Sequence, residues 1–101
     1  MTERILCAAI WFRDTKKYIH QPANIQSGYV ICGLRHHNCF YTNSLIYGEE
    51  YHKNKVEEMQ GFLTSNNRFV SRQEAASIAR EANQIKGEFK NMEILYSEDL
   101  Y

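Results

Sequence analysis

Two thiols and two imidazoles fall within eight residues, Cys32-Gly33-Leu34-Arg35-His36-His37-Asn38-Cys39. Donors of that kind invite zinc. However, a structural site pairs Cys-x2–4-Cys or His-x3–5-His across a longer gap, which is missing here. The plainer reading packs Cys32 in a strand and Cys39 under a helix, so no metal site is assigned. Arg35, His36 and His37 sit where a strand meets a helix start. Free N–H groups and the positive dipole end accept phosphate or carboxylate there, and a guanidinium adds a fork of donors. The alternative for Arg35 is a salt bridge to Glu58 or Asp99.

A second helix start offers the same chemistry at Arg72. Gly61-Phe62-Leu63-Thr64 lies upstream and Phe69 follows on a returning strand. Together they supply aromatic faces, a hydroxyl, a guanidinium and a helix N-terminus, a set that suits a nucleotide with a stacked base. Taken singly, Phe62 and Phe69 also fit a core. Catalytic signatures are sparse. The chain has no G-x-S-x-G elbow, no P-loop and no H-E-x-x-H. Its histidines are followed by Gln21-Pro22, His37-Asn38, Asn38-Cys39 and Lys53-Asn54, not by the paired His-x-Thr/Ser of two-histidine phosphodiesterases. Cys39 near His36 offers a thiolate–imidazole pair, against a buried thiol and a surface histidine. Glu98 and Asp99, as neighbours in a strand, would face opposite sides, which leaves Asp99 to hold a ribose hydroxyl or an arginine.

The elements that must position these groups follow from pattern. Arg4 to Phe12 is apolar on both faces and ends at Asp14-Thr15, as a buried strand would; Tyr18-Ile19 is expected to pair back on it. Gln21 to Gly28 reads as a loop, and Tyr29 to Cys32 as a second strand closed by Gly33. Asn38 is expected to cap a short helix through Tyr47, and Glu49 to Glu58 is ambiguous. Gln60–Thr64 and Arg68–Val70 form a hairpin turned at Asn66-Asn67, because asparagine tolerates positive φ. Ser71-x-x-Glu74 is a capping box, followed by Ala75, Ile78, Ala79, Ala82 and Ile85 on one helical face. Met92, Ile94 and Leu95 are expected in a last strand. The sum is a single α+β domain over residues 1–101, a small antiparallel sheet with two helices packed on one face.

Composition narrows the partners. Of 101 residues, 44% are hydrophobic, and 12 Lys+Arg balance 12 Asp+Glu. This excludes a disordered tail and gives no support for a nucleic-acid polymer as ligand. The longest apolar run, Ile5 to Phe12, is far short of the roughly 20 residues that span a bilayer. No secretory signal is read at the N-terminus, and three cysteines form no disulfide framework, so the cytosol is the expected compartment. A chain this short buries only roughly 60–65% of its unfolded surface. Seven Tyr, five Phe and one Trp are many aromatics for so thin a core, which points to a subunit interface or ligand site and to a homo-oligomer.

Three segments and the tail together resemble a known family. They are Cys7-Ala8-Ala9-Ile10, Arg35-His36, the run from Gln60-Gly61-Phe62-Leu63-Thr64 through Arg68-Phe69-Val70-Ser71-Arg72 to Gln84-Ile85, and Leu95 to Leu100. The chain resembles the first-described type of Thoeris anti-defence protein, the phage sponges for cyclic ADP-ribose signals. The resemblance implies a homo-oligomer assembled from dimers, acting in the cytoplasm of the infected host. Such a protein holds cyclic ADP-ribose isomers intact without cofactor or catalysis, and some members are understood to hold cyclic trinucleotides between protomers. It places ligand binding on Arg35, Phe62, Phe69 and Arg72, with His36, Thr64, Gln84 and Asp99 as companions. One departure is the excursion from Lys16 to Ser27, where the family turns tightly. Two other classes compete: an enzyme cleaving the same messenger through His36 or His37, and a protein–protein inhibitor or small regulator using exposed tyrosines.

Overall fold

A computed structural model describes residues 2–54, 57–85 and 93–100. Within them the order is β1 (Ile5–Arg13), β2 (Tyr29–Gly33), α1 (His36–Asn54), β3 (Glu57–Thr64), β4 (Phe69–Ser71), α2 (Arg72–Glu81) and a 3-10 turn at Ser97–Asp99. The sheet order is β2-β1-β3-β4, with every neighbouring pair antiparallel. Because β2 and β3 both oppose β1, they run parallel to each other, and α1 is the crossover that joins them around it. The fold is α+β, as the alternation of patterns implies.

Strand pleating decides which side chains face the helices. Ala8, Ile10 and Phe12 of β1 share one face with their opposite residues Tyr29, Ile31 and Phe62, and both helices pack there. Under α2 the core is small-residue: Ala75, Ala76 and Ala79 lie on Ala8, Phe62 and Val70, with Ile5, Ile85 and Leu95 closing the edge. Under α1 it is aromatic. Tyr29 stacks on Phe12 and Tyr47 with centroids 5.2 and 4.5 Å away, and Tyr18 meets it edge-on at 5.4 Å. That cluster absorbs much of the aromatic surplus that the composition raised. Asn43, almost fully buried beside it, accepts from the Tyr29 hydroxyl at 2.8 Å.

Local signals set α2. Ser71 Oγ accepts from the Glu74 N–H at 3.1 Å, and the Glu74 carboxylate accepts from the Ser71 N–H at 3.3 Å. At the other end Asn83 takes φ 56°, and the N–H groups of Asn83 and Gln84 donate to Arg80 O and Ala79 O, a Schellman closure.

Four expectations are corrected. Tyr18-Ile19 forms no strand: Tyr18 donates to Asp14 and packs on Tyr29, and β1 pairs with Tyr29–Gly33 instead. Asn38 lies inside the first turn of α1, which starts at His36; its side-chain Oδ1 accepts from the Arg35 N–H at 2.9 Å. The helix also runs past Tyr47 to Asn54, broken at Gly48 (φ 48°, ψ −124°). Ile94-Leu95 is not a strand, because Leu95 N–H donates to Arg72 O and its side chain caps the core; Met92 lies outside the described residues.

Candidate functional site

The N-termini of α1 and α2 meet over the middle of β3, and the side chains there lock together. His36 Nε2 lies 2.8 Å from the Gly61 carbonyl oxygen, which can only accept, so that nitrogen carries the proton. Its Nδ1 then accepts from Arg72 Nη2 at 3.4 Å. Arg72 also donates to Leu95 O at 2.9 Å and Gln60 Oε1 at 2.6 Å, and its guanidinium lies 4.8 Å over the Tyr96 ring. The imidazole stands edge-on to Phe62 at 5.2 Å. Burial, assisted by the Arg72 charge, holds the His36 pKa below its ordinary value. The group is a neutral clamp that orients Arg72, with both ring nitrogens committed.

Of the eight residues singled out, the structure gathers His36, Phe62 and Arg72 here, with Arg35 one residue before α1. Asp99 stands nearby in the tail and accepts from the Tyr96 N–H at 2.9 Å. Phe62 is fully buried, so it offers no face to a ligand in this protomer. Phe69 belongs to the opposite side of the sheet: Phe62 pairs with Val70, whereas Phe69 pairs with Leu63. Thr64 is buried in a hairpin network, donating to Glu3 Oε2 at 2.6 Å, while Arg68 grips the same carboxylate at 2.7 and 2.9 Å. Those bonds pull the Glu3 pKa down. Gln84 bonds both the N–H and the carbonyl of Ile5, at 2.7 and 2.8 Å. Thr64 and Gln84 therefore tie the N-terminal strand down, and no single protomer surface brings all eight together.

The face of the sheet away from the helices carries a feature the residue patterns did not flag. Trp11 and Arg13, alternate positions of β1, point there with Glu57 opposite. The Arg13 guanidinium lies 5.1 Å over the indole, and its bond to Glu57 is a long 3.9 Å between well-exposed groups. With Asn24, Gln26 and Ser27 they line a cleft of about 430 Å³. The wall is the 14–28 excursion, and it is pinned. Trp11 Nε1 donates to Ser27 O at 2.9 Å, Ala23 N–H donates to Asn67 O at 2.7 Å, and the Asn24 carboxamide bonds both Phe69 N–H and Phe69 O at 2.8 and 2.6 Å. Gly28, at φ 77°, lets the chain return where a Cβ would strike Phe12 O. A Trp-x-Arg pair on a strand ending at a long polar loop is the sequence signal that could have located this cleft.

The thiols occupy separate places. Cys39 is buried under α1 and donates to Ala8 O and Arg35 O at 3.7 and 3.6 Å; burial pushes its pKa up to about 11. Cys7 is half-buried and Cys32 exposed. Among the described residues no three His, Cys, Asp or Glu side chains are placed to hold a metal ion, and no helix is long and apolar enough to cross a membrane.

A family model described as phage T4 y16D protein matches residues 4–101. No curated protein matches the chain, and neither does any solved structure.

Proposed function

Because this chain belongs to the phage T4 y16D protein family, and so is a bacteriophage protein, we propose that it binds a cyclic ADP-ribose-type messenger and holds it uncleaved. The messenger class comes from the sequence resemblance to phage sponges. The observation that carries binding is the Trp11–Arg13 cleft. Its volume lies within the range of small-ligand sites, about 300–1,000 Å³. An indole beside a guanidinium offers a stacking platform worth about 1–3 kcal/mol per base, and the Gln26 side chain supplies an edge for hydrogen bonding. The Arg13–Glu57 contact joins exposed groups and is worth little, so Arg13 can exchange its carboxylate for a phosphate at small cost.

The proposed state is a homo-oligomer in the cytoplasm of the infected host, a second protomer covering the open side of the cleft. A sponge must bind near nanomolar, about −12 kcal/mol, which an enclosed ligand reaches more readily than an exposed one. A second reading, a phage inhibitor acting on a protein partner, is favoured by one observation. Leu34, just before α1, and Tyr41, Leu45 and Ile46 along it stand 60–70% exposed.

The test incubates the protein with cyclic ADP-ribose isomers and cyclic oligonucleotides, removes it by filtration, heats the retained fraction and identifies what is released by mass spectrometry. Depletion with intact return is expected, lost in Trp11→Ala and Arg13→Ala. Loss in Arg35→Ala and Arg72→Ala alone moves the site to the helix ends. Fragments would mean an enzyme, and no depletion leaves the protein-partner reading.

A further inference from the structure

On the face of the sheet that the helices leave uncovered, β1 presents Cys7, Ala9 and Trp11 in a row. Ala9 lies directly opposite Cys32 of β2. Cys7 and Cys32 are therefore diagonal neighbours on one face, a placement from which side chains of adjacent antiparallel strands still reach each other. The two thiols lie close enough for each to shift the other's ionisation, with the Gly33 N–H beside Cys7. The register of β1 against β3 shifts between Ile5 and Cys7, so Cys7 follows a bulge, a device that re-aims a side chain and leaves the strand locally adjustable. Access is graded: Cys32 is exposed, Cys7 is half-buried, and Cys39 is shut away behind the sheet.

A neighbouring thiol and backbone N–H favour the thiolate, the nucleophilic form. They bring Cys7 down to about 7, so a large share is ionised at neutral pH. Cys32 is pushed the other way by its pairing with Cys7, so it stays protonated. This is the division of labour between an attacking and a resolving thiol.

We propose that Cys7 and Cys32 form a reactive dithiol on the outer face of the sheet, whose substrate is a low-molecular-weight disulfide, RSSR. The Cys7 thiolate attacks one sulfur. A Cys7–S–S–R bond forms, the original S–S bond breaks, and the departing RS⁻ takes a proton from water. Cys32 then gives its proton to solvent and attacks the Cys7 sulfur, forming the Cys7–Cys32 bond and expelling a second RS⁻, which is protonated in turn. In sum the protein loses two thiol hydrogens and two electrons, and one RSSR becomes two RSH. Diagonal Cα atoms stand about 7–8 Å apart, beyond the usual disulfide span of about 4.4–6.8 Å. Closing the bond therefore draws β1 and β2 together, and the bulge gives β1 the room to move. A disulfide held against its strands in this way reopens under reducing conditions.

The test uses the full chain, oxidised glutathione as the probe, and intact-mass and peptide mass spectrometry at neutral pH. The wild type is expected to lose two hydrogens, carry no adduct and yield one Cys7–Cys32 link. Cys32→Ser should stop at a glutathione adduct on Cys7. Cys39→Ser should behave as wild type, and Cys7→Ser should form neither product in the same time. Alkylation of Cys7 by iodoacetamide should rise with a midpoint near pH 7. An unreactive wild type, a Cys7→Ser protein that reacts as fast, or an adduct that stays on Cys32 overturns the proposal. The Cys32→Ser arm reads the attacking thiol directly, so the conclusion does not depend on the folding of Cys7→Ser.

Discussion

Replacing His36 with phenylalanine isolates the polar half of the clamp between the two helices. The ring volume and the edge contact with Phe62 are kept, while the hydrogen bonds to Gly61 O and Arg72 are lost. Arg72 retains Leu95 O and Gln60 Oε1, so its loss is small. The Gly61 carbonyl, in a buried residue, loses its side-chain donor, and stranding such a group costs about 1–3 kcal/mol. For a domain of this size each kcal/mol lowers Tm by about 4–8 °C. The pH dependence is the sharper test. The His36 pKa is depressed in the folded protein, so below about 6.5 the unfolded chain binds the proton more readily. Wild-type stability is therefore complete above about 6.5 and is lost as pH falls toward the folded pKa, at no more than about 1.4 kcal/mol per pH unit. His36→Phe lacks this loss, and the other three histidines are common to both proteins. Urea unfolding followed by circular dichroism at pH 7.5 and 5.5 should show the gap between the two narrowing with acid. A gap that is constant or wider at pH 5.5 would refute the neutral, buried assignment of His36.

Other expectations follow from single contacts. Gly61→Ala puts a Cβ 2.7 Å from Phe69 Cζ and against the Val70 carbonyl; denaturant unfolding should show a loss of about 1–3 kcal/mol, and an unchanged midpoint would refute the close approach of β4 to Gly61. Ser71→Ala removes the cap of α2 and should cost about 1 kcal/mol in the same assay, with Ser71→Asn retaining most of it. The Glu3 pKa is lowered by Arg68 and Thr64, so its contribution is present above its ordinary value near 4.5 and disappears as pH falls through the lowered one. Glu3→Gln should therefore flatten the acid limb of a Tm-against-pH curve, and an identical limb in both proteins would discount that network.

How much was legible depends on the range over which each residue's partner lies. Ser71 and Glu74 are three residues apart, and Asn66-Asn67 closes its own turn, so the hairpin and the capped helix could be read from spacing alone. The first strand was equally readable, because a short run apolar on both faces has no other economical place than the centre of a sheet. His36 and Arg72 were rightly singled out as helix-start residues, but their 36-residue separation hid that each completes the other's hydrogen bonds.

Phe62 and Phe69 illustrate the limit. Either fits a core or a ligand face by type, and the hairpin register alone puts them on opposite sides of the sheet. Gln21 to Gly28 reads as a loop from its Pro, Asn and Gly content, yet that it crosses to β4, pins itself at Phe69 and walls a cleft around Trp11 and Arg13 is decided by tertiary structure. The sequence by itself determined the α+β class, the strand and helix signals with near neighbours, and the absence of the scanned catalytic motifs. Only the folded chain decided which polar groups satisfy one another and which remain turned toward a cleft. A side chain's type states what it can bond, whereas strand register and helix crossing state what comes within its reach.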